Sequence, residues 1–431
     1  MTERVLEHFT LATLADALQS GELSSKEITQ ACVNRIADVD KDIGAFLFVD
    51  DKAALAASDA SDARRRSCAT CGPLDGIPIG IKDNILVEGI PATAGSKILQ
   101  NYVPPYDATV VAKLKSAGAV LMGKLNLDEF AMGSSNENVA FHLCKNPWDL
   151  ARSPGGSSGG PAAAVTARMC FGSLGTDTGG SIRQPAALCG IAGMKPTYGR
   201  VSRFGVVAFA SSLDQVGPMG HDVRSVAMLL QAISGFDARD STSVEKPVPN
   251  YSAILSDDVV GLRIAVPEEV FAVDGLDPEV KDAFEKRLGE LRHAGAHVDT
   301  VQLKHLPYGI AAYYVVCTAE ASSNLARYDG VRYGPRLNED AGLLPMYEAT
   351  RGQLFGQEVK RRILLGTYVL SAGYYDAHYL RALKVRRLLA EDFRVALQNF
   401  DVIAMPTSPT PAFTIGEKID DASITTHVKY A

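Results

Sequence analysis

Two serines stand in glycine-rich segments that lie between apolar stretches. The first segment is Ser153-Pro-Gly-Gly-Ser157-Ser158-Gly-Gly160. The second is Gly175-Thr-Asp-Thr-Gly-Gly-Ser181-Ile-Arg183-Gln184-Pro185. Paired glycines beside a serine let backbone N–H groups come close to a ligand. Such groups build oxyanion holes and anion cradles. The Gly179-Gly180-Ser181 step precedes an expected helix turn, which would aim further N–H groups at negative charge. The chemistry this favours is attack by a serine hydroxyl. None of the eight scattered histidines is an obvious partner. A lysine can be the base instead, because burial disfavours its cation. Lys82 closes the apolar run Ile77–Ile81, where it would be desolvated. A lysine reaching from a strand end into water fits the same local sequence.

Other motifs carry less. Gly155-x-Ser157-x-Gly159 has nucleophile-elbow spacing, but that elbow needs a strand directly before it. Here Asn146-Pro-Trp-Asp-Leu-Ala-Arg-Ser-Pro154 precedes it and reads as turn. Gly118-x4-Gly123-Lys124 resembles the start of a phosphate-binding loop, yet Leu125 replaces the required Ser or Thr and the order is helix then strand. Cys68-Ala-Thr-Cys71 has metal or redox spacing without a second pair nearby, so a surface loop is expected. Arg64-Arg65-Arg66 before it reads as a solvated face. The other five cysteines sit among apolar or small residues, as buried free thiols do. His293 and His297 flank a glycine turn and read as surface.

The elements that must hold these residues follow from periodicity and caps. Leu11, Leu14 and Leu18 have helical spacing, and Ser24-Ser-Lys-Glu27 is a capping box ahead of Ile28, Cys32 and Ile36. Residues 51–66 and 107–117 are expected helices, and Ile77–Ile81 and Ala119–Met122 expected strands. Asp277-Pro278 opens a helix to Arg292, followed by a strand at His297–Leu303. Ala294-Gly295-Ala296 there echoes Ala117-Gly118-Ala119. Residues 236–258 read as linker or surface excursion, 308–327 and 356–398 as helical, and Asp401–Met405 as a strand. Strands alternating with helices throughout predict one large α/β fold.

The chain has 431 residues, 46% hydrophobic and 22% charged, which excludes a disordered chain. Its net charge of −7 disfavours gripping nucleic acid by bulk charge. No apolar run approaches the ~20 residues of a membrane span. The N-terminus lacks the apolar core of a signal peptide. A cytosolic protein is expected.

Three separated motifs now coincide: Gly76-Ile-Pro-Ile-Gly-Ile-Lys82-Asp-Asn84, Gly-Gly-Ser157-Ser-Gly-Gly, and Gly-Thr-Asp-Thr-Gly-Gly-Ser181-Ile-Arg-Gln-Pro. In this order they resemble the amidase signature family. Asn146–Asp149, Met194–Ser202, Ala210–Pro218, Glu320–Gly330 and Glu358–Gly366 are similar to one branch of it, the A subunits of glutamyl-tRNA(Gln)/aspartyl-tRNA(Asn) amidotransferases. The likeness covers roughly residues 5–421. It implies a single amidase-signature domain over 1–431 with its signature core at about 70–220, built as a large mixed twisted sheet with helices on both faces.

The resemblance also implies a Ser–Ser–Lys triad. Ser181 is then the nucleophile, Ser157 the bridging serine behind a non-proline cis peptide, and Lys82 the neutral base. The N–H groups of Thr178, Gly179, Gly180 and Ser181 correspond to the oxyanion hole, and Gln184, Tyr313 and Arg362 to the glutamine contacts. Arg361 adjoins Arg362 and stays an alternative. The implied reaction turns glutamine into glutamate and ammonia. The ammonia converts Glu-tRNA(Gln) to Gln-tRNA(Gln), or Asp-tRNA(Asn) to Asn-tRNA(Asn), in a B subunit that uses ATP and Mg and contacts the tRNA. A C subunit completes the complex, this chain needs no cofactor of its own, and the setting is the cytosol or an organellar matrix. The other readings are a stand-alone amidase and an inactive structural subunit. Pro161 departs from the small residue usual after the Gly-Gly pair and is expected at the first position of the next helix. The tail Ala422–Ala431 departs from the family's continuation, so the end of the fold, with an aspartate contact to glutamine, is expected to be missing.

Overall fold

Thr10 and Ser24 each close a capping box, opening α1 (Leu11–Ser20) and α2 (Ser25–Ile43). A computed structural model describes residues 8–272 and 275–418 of the chain. The N-terminal residues up to 7 and the tail Ala422–Ala431 lie outside them. After α2 come β1 (Phe46–Val49), α3 (Asp51–Arg66) and β2 (Pro78–Lys82). Next are α4 (Thr109–Ser116), β3 (Val120–Leu125), α5 (Gly159–Thr166) and β4 (Gly172–Asp177). Then follow α6 (Arg183–Leu188), β5 (Ala192–Gly193), β6 (Gln215–Gly220) and α7 (Val223–Ile233).

These strands form one mixed sheet in the order β1-β3-β2-β4-β6-β5. The central three are parallel, with β2 between β3 and β4, and the flanking pairs are antiparallel. All five residues of β2 are buried, as a parallel strand covered on both faces requires. Leu11, Leu14, Ile28, Val110, Leu114, Val165 and Leu229 from the flanking helices share one core with Ile79 and Ile81 of β2. Burying such a side chain contributes about 1.5–3 kcal/mol. The topology has a direct consequence for the site. Because β2 and β4 run the same way, Lys82 at the end of one and Asp177 at the end of the other reach the same edge of the sheet. That edge, at the carboxyl ends of parallel strands, is where open α/β sheets place their chemistry.

A second sheet holds β7 (Arg263–Pro267), β8 (His297–Val301) and β9 (Val402–Ile403), all parallel, in the order β8-β7-β9. Helix α8 (Pro278–His293) makes the crossover from β7 to β8. The echo between Ala117-Gly118-Ala119 and Ala294-Gly295-Ala296 is structural: each glycine adopts positive φ between a helix and a parallel strand. The two units lie in different sheets. The C-terminal helices are α9 (Gly309–Asn324), α10 (Leu343–Leu354), α11 (Gln357–Val369) and α12 (Arg381–Ala396). The continuous helix expected over 356–398 is therefore broken. The chain leaves α11 at Leu370, turns at Gly373 with φ +85°, and re-enters through a wide turn at Tyr375–Leu380.

Two local readings are corrected. The Arg64–Arg66 run is more than a solvated face: Arg64 Nε lies 3.0 Å from the buried Asp75 carboxylate and Arg65 donates to the Asp75 carbonyl. Pro161 is the third residue of α5, not the first, and still sits where no N–H is needed by the helix. The phosphate-loop look-alike is a helix followed by β3, and its Lys124 is buried in an ion pair with Asp83 at 2.7 Å. Cys68 and Cys71 are exposed and free, whereas the other five cysteines are buried. Among the described residues no helix is long and apolar enough to cross a membrane.

Candidate active site

Lys82 is buried, and three hydroxyl oxygens lie 2.9 Å from its Nζ: Ser157 Oγ, Ser158 Oγ and Thr176 Oγ1. A carbonyl oxygen of Thr176 lies 3.4 Å away. The strand end thus turns its lysine into the protein, not out to water. The two serines come from the turn between residue 153 and α5. The Gly156–Ser157 peptide bond is cis, as the family resemblance implies. No strand precedes this turn, which removes the nucleophile-elbow reading.

The second glycine segment lies against the first, with the Ser158 N–H donating to the Ser181 carbonyl at 3.1 Å. Ser181 is buried, and its Oγ has no hydrogen-bond partner among the described residues. A buried hydroxyl without a protein partner is uncommon, and a catalytic role is one reason for it. Gly180 has φ +116°, a conformation that favours glycine. A side chain at Gly179 would stand 2.7 Å from the Tyr313 ring, so glycine is what lets Tyr313 lie on this loop.

Asp177, at the end of β4, holds the loop in place. Its carboxylate accepts the N–H of Gly180 at 2.7 Å and of Ile182 at 3.1 Å, and pairs with Arg183 at 3.0 Å. Burial alone would raise its pKa. The Arg183 charge and these hydrogen bonds outweigh burial and hold it at about 2. The Gly180 N–H, one of four expected oxyanion donors, is therefore already engaged, and the expectation narrows to Thr178, Gly179 and Ser181. Thr178 Oγ1 donates to Asp214 at 2.6 Å. Burial pushes that carboxyl up to about 6, against the hydrogen bonds from Thr178 and the backbone of Ala210 and Phe209. A cavity of about 370 Å³ opens beside Thr178 and Gly179, with Gln215, Tyr313 and Arg386 on its walls.

The expected substrate contacts separate. Gln184 is buried, and both ends of its carboxamide are occupied by backbone: Oε1 accepts from the Gly156 N–H and Nε2 donates to the Ser134 carbonyl, each at 2.9 Å. Through these bonds it braces the serine turn. Arg362 is buried and bound at Nε by Glu358 at 2.6 Å. Its Nη1 and Nη2 have no hydrogen-bond partner among the described residues. Burial opposes its charge, but Tyr313 and Glu358 more than offset this and the pKa stays above its ordinary value. Arg361 faces outward, half exposed, on the other oxygen of Glu358. The two arginines are thus distinguished: only Arg362 offers a buried guanidinium edge of the kind that grips a carboxylate bidentately. Burial raises the Tyr313 hydroxyl pKa.

Sequence reasoning missed three participants. Ser158 and Thr176 share Lys82 with Ser157, and Asp177 pins the second loop. A signal existed for Asp177, since an aspartate ahead of Gly-Gly commonly accepts from the backbone N–H groups that follow it. Among the described residues no group of three or more His, Cys, Asp or Glu stands together to hold a metal ion.

Comparisons with known proteins agree on this arrangement's kin. A family model described as Amidase matches residues 27–430, beyond residue 421 where the motif likeness ends. The A subunit of glutamyl-tRNA(Gln) amidotransferase from Myxococcus xanthus (strain DK1622) is 59% identical over 416 residues, covering 96% of this chain and 85% of that protein. The protein of the same name from Roseiflexus sp. (strain RS-1) is 56% identical, covering 97% and 85%. Among solved structures, the A subunit of glutamyl-tRNA(Gln) amidotransferase from Thermotoga maritima superposes with a TM-score of 0.78 at 42% identity, covering 98% of this chain and 84% of that one. The peptide amidase from Stenotrophomonas maltophilia gives a TM-score of 0.80 at 33% identity, covering 95% and 85%.

Proposed function

The chain belongs to the amidase signature family, and on that premise we propose that it is the glutaminase subunit of a tRNA-dependent amidotransferase. The observation that carries this reading is the buried contact of Lys82 with Ser157 at 2.9 Å, on a turn joined to the Ser181 loop by the Ser158 N–H to Ser181 carbonyl bond. Lys82, as an uncharged amine, takes the proton of Ser157 while Ser157 takes that of Ser181. The freed Ser181 Oγ attacks the side-chain amide carbon of glutamine. Negative charge gathers on the amide oxygen, where the N–H groups of Thr178, Gly179 and Ser181 receive it. One such donor contributes ~3–4 kcal/mol to the transition state. The proton returns through Ser157 to the leaving nitrogen, the C–N bond breaks, and ammonia departs from a glutamyl ester on Ser181. Water, deprotonated by the same relay, releases glutamate.

Glutamine as substrate is supported by Arg362, whose unengaged guanidinium edge suits the substrate carboxylate, and by the names of the relatives at 56–59% identity. Those names speak of Glu-tRNA(Gln), so the ammonia would pass to B and C partner subunits in the cytosol. There ATP and Mg activate the misacylated tRNA. Incubation with glutamine, with and without those subunits, tests the reading. Ammonia and glutamate should appear in equal amounts. A chain that releases neither, alone or in the complex, would leave only the reading of a structural component. The likeness to a peptide amidase favours a second reading, a stand-alone amidase. Turnover of C-terminally amidated peptides above that of glutamine would select it.

A further inference from the structure

Beyond the triad, one turn ties its serine loop to the helix that bears Arg362. The turn is Asp128-Glu129-Phe130-Ala131. Phe130 and Ala131 both have positive φ, at 51° and 60°. Non-glycine residues in this conformation cost on the order of 1–2 kcal/mol each, and they persist where the surroundings fix them and where function often lies. Phe130 is fixed by the rings of Tyr328 and Phe355, with centroids 5.0 and 5.6 Å away.

The two acids ahead of it face different parts of the molecule. The Asp128 N–H donates to the Ser157 carbonyl at 3.3 Å, and its carboxylate accepts the N–H groups of Asn136 and Asn138. Glu129 is buried; one carboxyl oxygen accepts from Ser96 Oγ and the other from the Gly356 N–H at 2.9 Å. Gly356 caps α11, on which Glu358 orients Arg362. A side chain at Gly356 would stand 2.2 Å from the Glu129 carboxylate, so glycine permits the approach. The connection runs from the Ser157 carbonyl through the backbone of Asp128 and the side chain of Glu129 to the start of α11.

We propose that Glu129 is a positioning residue that fixes helix α11, and with it Arg362, at the distance from the Ser181 loop which suits an amide substrate carrying a carboxylate. The inference rests on the glutaminase reading above. Its route to Arg362 is the Gly356 N–H at the start of α11. Burial pushes its carboxyl up to about 7, so an uncharged amide in its place keeps the acceptor that matters.

The test measures steady-state kinetics of the full chain with glutamine and with butyramide, an amide without the carboxylate. Glu129→Ala should raise KM for glutamine about tenfold or more and leave its kcat within about threefold, while KM for butyramide changes little. Glu129→Gln should restore the parent KM. Equal KM changes for both amides, an unchanged KM for glutamine, or a Gln variant as poor as the Ala variant would each overturn the proposal. If Glu129→Ala does not fold, Gly356→Ala, which displaces the carboxylate, should give the same selective rise in KM, and its absence overturns the proposal equally. Ser181→Ala separates the two levels. Turnover surviving that change sinks the glutaminase reading itself; turnover abolished by it, with Glu129 variants like the parent, sinks only the positioning role.

Discussion

The Nζ of Lys82 lies 2.9 Å from the Oγ of Ser157, although 75 residues separate them in the chain. The lysine ends a strand buried along its whole length, and the serine sits in a glycine turn beside it. If this contact carries protons, Lys82→Ala and Ser181→Ala should each lower kcat/KM for glutamine by at least about 10³-fold. Near-normal turnover in either variant, folded by circular dichroism, would remove the relay.

Gln184 joins the two glycine segments. Removing its carboxamide leaves the Gly156 N–H and the Ser134 carbonyl buried without it. Gln184→Ala should cost about 2 kcal/mol in denaturant unfolding and lower kcat more than it raises KM. A change in KM alone would return Gln184 to the substrate contacts.

Arg362 and Arg361 share Glu358 but face opposite ways. Arg362→Ala should raise KM for glutamine about tenfold or more, with a far smaller effect on butyramide. Arg361→Ala should leave both within about twofold. The reverse pattern would move the carboxylate clamp to Arg361.

Asp177 links acid stability to the second loop. Its folded pKa of about 2 lies below the ordinary 3.8, so its pairing stabilises the fold above pH 3.8 and is lost as pH falls through about 2. The shift corresponds to about 2 kcal/mol. The stability gap between the parent chain and Asp177→Asn should therefore be full above pH 4 and shrink towards pH 2. A gap independent of pH across this window would mean that the charge of Asp177 does not stabilise the loop.

Thiol accessibility checks the reading of Cys68 and Cys71. A bulky thiol reagent should label these two quickly in the folded chain and the five buried cysteines only on unfolding. Protection of the pair would call for a ligand or contact at that loop.

Much of the site was legible in the sequence because its signals are local. The capping box at Ser24, the apolar run ending at Lys82, and glycines flanking Ser157 and Ser181 depend on near neighbours in the chain, whose steric and hydrogen-bonding demands act whatever the fold around them. So did the helix-then-strand order that excluded a phosphate loop at Lys124, and the turn before Ser157 that excluded an elbow. The broken helix after α11 was missed because the 3.6-residue pattern resumes beyond Gly373 and hides the interruption.

Residue types and their local spacing set which groups could do the chemistry and put them on a strand end and two glycine turns. Which of those groups are already engaged depends on packing between segments distant in the chain. Asp177 takes the Gly180 N–H, Gln184 gives both ends of its amide to backbone, Glu358 turns one arginine inward and its neighbour outward, and Glu129 reaches Gly356 across 227 residues. A buried polar group must find a partner, but which one it finds depends on what packing brings within about 3 Å, and no local pattern encodes that.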